Sequence, residues 1–181
     1  RCTSEGFKCE KISIEKIKHF VSKDALNIDG FGKKIVQNFW EIGLIKLPHD
    51  IFNLDFERIS KLEGWGSLSV DNLKKSIQKS KKVSLDKFIF SLGIRHIGQE
   101  NAKLLGEFLK KKENFFRLKN QNFIQELINI DGIGDTQINS LKNFFNEKAN
   151  LDVILNLSKS LDIQSFKEST STGKLKGQVF M

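Results

Sequence analysis

One short pattern recurs along this chain, and it limits the possible folds more than any other feature. The segments "IDGFGKKIV" (28–36), "LEGWGSLSV" (62–70), "IRHIGQENA" (94–102) and "IDGIGDTQI" (130–138) align without gaps. Each opens on an apolar residue (Ile28, Leu62, Ile94, Ile130) and a polar one, then places Gly30, Gly64, His96 or Gly132. A second apolar residue follows (Phe31, Trp65, Ile97, Ile133), and then a glycine in all four copies: Gly32, Gly66, Gly98 and Gly134. The third positions lie 34, 32 and 36 residues apart, room for a helix, a tight turn and a second helix in each unit. A solenoid would repeat its packing residues along whole helices, whereas here the likeness is concentrated in the turn. Glycine permits positive φ and close backbone approach, at a helix cost of about 0.5–1 kcal/mol relative to alanine, so something has to offset four such turns.

The flanking segments have helical spacing. "SIEKIKHFVSKDAL" puts Ile14, Ile17, Phe20 and Val21 on one side, with Ser13 as the expected N-cap. Further helices are predicted at about 33–42, 67–80, 84–91, 99–111, 121–128, 135–146 and 148–160, separated by glycine, Pro48 or asparagine. The expected fold class is therefore all-α up to about Leu161. "QSFKESTSTGKLKG" then has the polar, small-residue composition of a linker, and "KGQVFM" the alternation of a first β-strand.

Charge narrows what the turns face. The 181 residues carry a net charge of +8, almost all of it from lysine, since arginine occurs only as Arg1, Arg58, Arg95 and Arg117. A basic chain favours a polyanionic partner, although sixteen phenylalanines beside no tyrosine also fit compositional drift. With no apolar run of about 18 residues and no signal-peptide pattern at the amino terminus, the expectation is a cytoplasmic chain without a membrane partner. Opening on Arg1-Cys2 and ending on "GQVFM", it has the look of part of something longer.

An anion fits the turns. The last glycine and the two residues after it open a helix whose first N–H groups lack intrahelical acceptors and lie at the positive end of the macrodipole. A phosphate oxygen is a natural acceptor there, and such contacts carry no base information. One copy alone is more often an ordinary turn; four in register single out phosphate. The candidate contacts are Gly30, Gly32, Lys33 and Lys34 in hairpin one, and Gly64, Gly66 and Ser67 in hairpin two, with Lys74 one helical face away. Hairpin three offers Arg95, His96, Gly98 and Gln99, where Arg95 suits a phosphate or the minor groove. Hairpin four offers Gly132 and Gly134, but Asp135 competes for the same amides. It is expected to be the weakest contact, with Ile130 and Ile133 in the core.

With its apolar anchors, this spacing resembles the helix-hairpin-helix family, in which four motifs arranged as two pairs form a compact helical domain that binds duplex DNA through its phosphate backbone and minor groove. "RCTSEGFKCEKISIEKIKHFVSKDALNIDGFG", "FIFSLGIRHIGQENAKLL" and "GKLKGQVFM" further resemble successive landmarks of bacterial NAD-dependent DNA ligases. The resemblance implies the second half of a four-cysteine zinc finger over 1–12, a helix-hairpin-helix domain over 13–161, a linker over 162–173 and the first strand of a BRCT domain over 174–181. It also implies that Cys2 and Cys9 are zinc ligands completed by two upstream cysteines. Two thiols cannot complete a tetrahedral site, two ordinary reduced thiols fit equally well, and the six-residue gap between them is longer than the family's second pair.

That family adenylates an active-site lysine with NAD, moves AMP to the 5′ phosphate of a nick, and lets the 3′ hydroxyl displace it with Mg2+ assistance. The lysine belongs to a K-x-D-G motif. In this chain "NIDG" occurs at 27–30 and 129–132, with Asn27 and Asn129 where lysine would stand. The resemblance thus implies that no catalytic residue lies in the segment, that NAD and Mg2+ bind outside it, that it is inactive alone, and that its role is to grip nicked duplex as a monomer during replication and repair.

Other readings compete. A stand-alone or nuclease-associated helix-hairpin-helix module would share the turns. A glycosylase would need a catalytic aspartate after its hairpin, and Asp152 in "NLDVILNL" lacks the flanking residues for that; a protein-interaction repeat would show no salt-sensitive DNA affinity. His19 on an apolar face is expected to pack or cap, His49 follows Pro48 at a helix start, and neither has a cysteine partner. Trp40 and Trp65 suit core positions, Trp65 bracing a hairpin tip. The lysines from Lys74 to Lys82 form a solvated face that would add non-specific affinity on a DNA-binding helix.

Overall fold

The computed structural model describes residues 9–167. Cys2 and the strand expected over 174–181 lie outside the described residues. The first helix, α1 (Glu10–Val21), starts earlier than the Ser13 cap predicted. Ser13 donates its N–H to the Cys9 carbonyl at 2.9 Å and sits buried one turn inside, while Glu10 Oε1 accepts from Trp40 Nε1 at 3.0 Å. Cys9 is therefore the N-cap, and residues 10–12, assigned to the finger, are helix.

After α1 come α2 (Lys33–Glu41), a 3-10 turn over Pro48–Asn53, α3 (Phe56–Ser60) and α4 (Ser67–Ser80). Then follow β1 (Lys82–Ser84), α5 (Leu85–Ser91), α6 (Gln99–Leu109), α7 (Lys112–Phe116), α8 (Gln121–Glu126), α9 (Asp135–Asn146), α10 (Lys148–Ser160) and β2 (Asp162–Gln164). The hairpins are α1/α2, α3/α4, α5/α6 and α8/α9. The all-α expectation holds apart from the two short strands.

The hairpins pack in pairs. Trp65 at the second tip stacks on Phe39 of α2 with centroids 5.4 Å apart, and Gly30 at the first tip faces Leu73 of α4. In the second pair, Gly132 faces Leu104 of α6, and Phe115 of α7 stands between Phe88 of α5 and Phe145 of α9 at 5.6 and 5.4 Å. The first and fourth tips thus each rest on the second helix of their neighbour. His19 joins the pairs as a capping histidine. Its Nε2 donates to the Phe90 carbonyl near the end of α5 at 2.7 Å, and the two rings meet edge-on at 4.7 Å. Helix α10 returns to pack on the 3-10 turn of the first pair.

The boundary at Leu161 moves outward. Residues 162–164, expected to open the linker, pair in parallel with β1, Val83 opposite Ile163, and both of those side chains are buried. Phe166 N–H then donates to the Lys110 carbonyl at 2.9 Å, and its ring covers Gly106. A Cβ on Gly106 would stand 2.9 Å from Phe166 Cδ2 and 3.4 Å from the Asp86 backbone, so this glycine lets α5 and α6 close together. Gly106→Val is predicted to destabilise the chain by about 2 kcal/mol or more. Urea denaturation measures this directly, and unchanged stability would show the α5–α6 contact to be slack.

Candidate nucleic-acid interface

All four turns have one geometry. The fourth residue donates its N–H to the carbonyl of the first: Phe31 to Ile28, Trp65 to Leu62, Ile97 to Ile94 and Ile133 to Ile130, at 3.2, 3.1, 3.1 and 3.0 Å. The third residue has positive φ, +80° at Gly30, +81° at Gly64 and +90° at Gly132, the signature of a type II turn. His96 adopts +61° in the same place, a conformation costing about 1 kcal/mol or more for a residue with a Cβ. Asn101 Nδ2 donates to the His96 carbonyl at 3.0 Å and helps hold it. The apolar members of each turn are buried or half-buried, which leaves Gly30, Gly64, His96 and Gly132 exposed.

The second glycines differ from the first. Gly32, Gly66, Gly98 and Gly134 have φ of −67°, −85°, −80° and −116°, extended backbone that any residue adopts, so positive φ explains only the first position of each pair. A Cβ on Gly32, Gly66 or Gly98 would meet nothing within 4 Å. Neither backbone strain nor internal packing demands glycine there. Each is an N-cap without a side-chain cap, and its carbonyl accepts the first helical bond, from Val36, Val70 and Ala102 at 3.0, 3.1 and 2.9 Å. The N–H groups of Gly32, Lys33 and Lys34, of Gly66, Ser67 and Leu68, and of Gly98, Gln99 and Glu100 meet no acceptor among the described residues. Three bare rows of backbone donors face outward.

Cations flank them. Lys18, Lys33 and Lys34 line one groove beside hairpin one, and Lys23 joins Lys18 and Lys33 on another. A cleft of about 610 Å³ separates hairpins one and two, with Gly30, Gly64, Trp65 and Ser69 in its lining. Lys74 extends its ammonium over Phe56 at 5.0 Å from the ring centroid, and Lys75, Lys79 and Lys82 are exposed, as a solvated face requires. Arg95 and Gln99 are exposed at the third tip.

Hairpin four is different. Gly134 is half-buried and donates its N–H to Gln137 Oε1 at 3.1 Å. The competitor for this amide is thus Gln137 and not Asp135, which sits exposed at the first helical position with Gly134 as the cap. The signal for it lay in "GDTQ", a glutamine three residues after the cap, as in a capping box. Ile133 is buried and Ile130 packs half-buried on the core, as the sequence predicts.

The remaining chemical-looking residues have structural surroundings. Asn27 is a turn residue at φ +50°, and Asn129 donates to the Glu126 carbonyl at 3.1 Å. His49 Nε2 lies 3.6 Å from Asp50 Oδ1, Trp40 is buried beneath Lys46, and Asp152 is exposed on α10. Among the described residues no three His, Cys, Asp or Glu side chains gather as a metal site would need, and no helix is long and apolar enough to cross a membrane.

Comparison with known proteins agrees with this geometry. A family model described as a helix-hairpin-helix motif matches residues 87–154, which span the third and fourth hairpins. The chain is 60% identical over its whole length to a DNA ligase of Pelagibacter ubique, 27% of which it covers. It is 42% identical to a DNA ligase of Rickettsia bellii and 39% identical to one of Rickettsia massiliae, in each case over 99% of this chain and 28% of the relative. The chain thus spans little more than a quarter of the length of these curated relatives. Over its whole length the chain is thus similar to a segment of bacterial DNA ligases, and it carries a helix-hairpin-helix motif.

Proposed function

We propose that this segment grips duplex DNA around single-strand nicks, without regard to sequence, for an NAD-dependent ligase acting in replication and repair. The observation that carries the reading is the second glycine at the first three tips. Gly32, Gly66 and Gly98 have no internal reason to be glycine, and each heads a helix whose first amides are unsatisfied. A side chain there would not disturb the protein, but it would stand between those amides and a phosphate. The non-bridging oxygens accept from the amides, Lys33, Lys34 and Arg95 add charge, and the duplex is held by its backbone along the minor groove. Hairpin four, with Gly134 already bonded to Gln137, contributes mainly packing.

The chemistry belongs elsewhere in the enzyme. NAD supplies the adenylyl group and Mg2+ the charge neutralisation for nick sealing; with Asn27 and Asn129 in place of the lysine nucleophile, this segment acts by positioning the duplex and is inactive alone. A structural zinc does not fit within this chain by itself. Cys9, a half-buried free thiol, and Cys2 provide two thiolates where a tetrahedral site takes four, so zinc requires the two cysteines expected upstream. A cytoplasmic monomer accords with the role.

The test is a salt titration of binding to nicked and intact duplex. The expected outcome is a fall of log K with log salt at about −0.9 per phosphate, amounting to about four or more contacts, with scrambled duplex competing equally. Absence of binding at low salt by a folded sample would make the hairpins scaffold.

A further inference from the structure

The position two residues past the second glycine points to solvent in every hairpin. Lys34, Leu68, Glu100 and Thr136 occupy it, and all four are exposed. Three are charged or polar, as a water-facing site favours. Leu68 is the exception, and at 72% exposure it is the most exposed of the large hydrophobic side chains among the described residues. The motif's geometry, rather than a defect of packing, holds it outward. It rises between the small polar Ser67 and Ser69, both exposed, on the same helical turn as the unsatisfied amides of Gly66 and Ser67.

We infer that Leu68 is an apolar contact to DNA, packing on the deoxyribose C–H surface of the minor-groove wall beside the phosphate held at Gly66. This rests on the duplex-gripping reading above and adds a contact that is not electrostatic. Few ligands ask for bare N–H donors and an exposed leucine a few ångströms apart. A free phosphate or a carboxylate offers anionic oxygens alone. A nucleic-acid backbone alternates anionic phosphate with apolar sugar edges at this spacing, and leucine is among the side chains that proteins press into the minor groove. The net charge of +8 favours that polyanion over an apolar protein surface.

The test is fluorescence anisotropy with a labelled nicked duplex, across a salt series, on the 181-residue chain and its Leu68→Ser and Leu68→Met variants. Leu68→Ser is expected to weaken binding roughly three- to tenfold at every salt concentration while the slope of log K against log salt stays the same, because apolar area is lost and no phosphate contact is. Leu68→Met is expected to bind like the parent. Melting temperatures of all three coincide, since the side chain is exposed. If Leu68→Ser binds as tightly as the parent, the sugar contact is refuted and the leucine serves another surface. If affinity falls together with a slope shallower by about one contact, the effect runs through the phosphate and the inference fails equally. A parent chain that binds no duplex would instead overturn the gripping function itself.

Discussion

Replacing Gly32 and Gly66 together by aspartate is expected to stabilise the chain while lowering its affinity for duplex DNA about a hundredfold. The opposite signs follow from one geometry. Both residues are N-caps in extended backbone with open space where a Cβ would go, so aspartate enters without strain. Its carboxylate accepts from the second or third helical N–H and complements the macrodipole, a gain of roughly 0.5 kcal/mol per site over glycine. Two sites raise the melting temperature by about 2–4 °C. The same carboxylates occupy the amides that phosphate would use and repel it. Losing charge-assisted hydrogen bonds of about 1.5 kcal/mol or more at each of two tips multiplies the dissociation constant by about a hundred. Gly134→Asp is expected to lower affinity less, because Gln137 already takes the Gly134 amide that a phosphate would use. Calorimetry and anisotropy on the same preparations decide the matter. Retained affinity with a raised melting temperature would exclude the tips as phosphate sites, and a lowered one would contradict the cap geometry.

Phe115→Ala carries the largest predicted loss of stability, about 3–5 kcal/mol. Phe115 is fully buried and touches three other rings, Phe88, Phe116 and Phe145, with centroid distances of 5.6, 5.7 and 5.4 Å. It sits on α7, the short helix between the third and fourth hairpins, and links α5 to α9 across that pair. Truncation leaves a cavity bounded by three large rings that cannot collapse without moving whole helices. Against a total stability on the order of 5–15 kcal/mol, the loss is a large fraction. Phe108 provides the control: at 42% exposure, its truncation is expected to cost about 1 kcal/mol or less. Urea denaturation of both variants tests the contrast, and comparable small losses would remove Phe115 from the role of wedge.

The four tips were legible because their pattern is local. An apolar anchor, a turn glycine, a second anchor and a helix-opening glycine each answer to their own few bonds, and the repetition made each copy evidence for the others. Long amphipathic helices such as α4 and α9 were legible by spacing. Elements that depend on distant partners were not. Helix α7 lies in "KKKENFFRLK", a charged stretch whose two phenylalanines gain meaning only when α5 and α9 surround them. The strands are three residues each, too short for alternation to register, and each needs the other for its hydrogen bonds. The start of α1 moved because Trp40, thirty residues away, holds Glu10. At the site, the roles of the two turn positions, glycine at both in three of the four hairpins, could be told apart only by their dihedral angles, and Leu68 among serines showed no periodicity to mark it.

The strand pair has a mechanical consequence. The chain enters β1 at its beginning and leaves β2 at its end, and because the strands run in parallel these two points lie at opposite ends of the pair. Tension applied through the polypeptide on either side therefore loads the inter-strand bonds in shear, all at once, instead of peeling them one after another. Force then passes across residues 82–84 and 162–164, and through the Phe166–Lys110 bond just beyond β2. A segment built this way resists being pulled apart along its own chain at that strand pair.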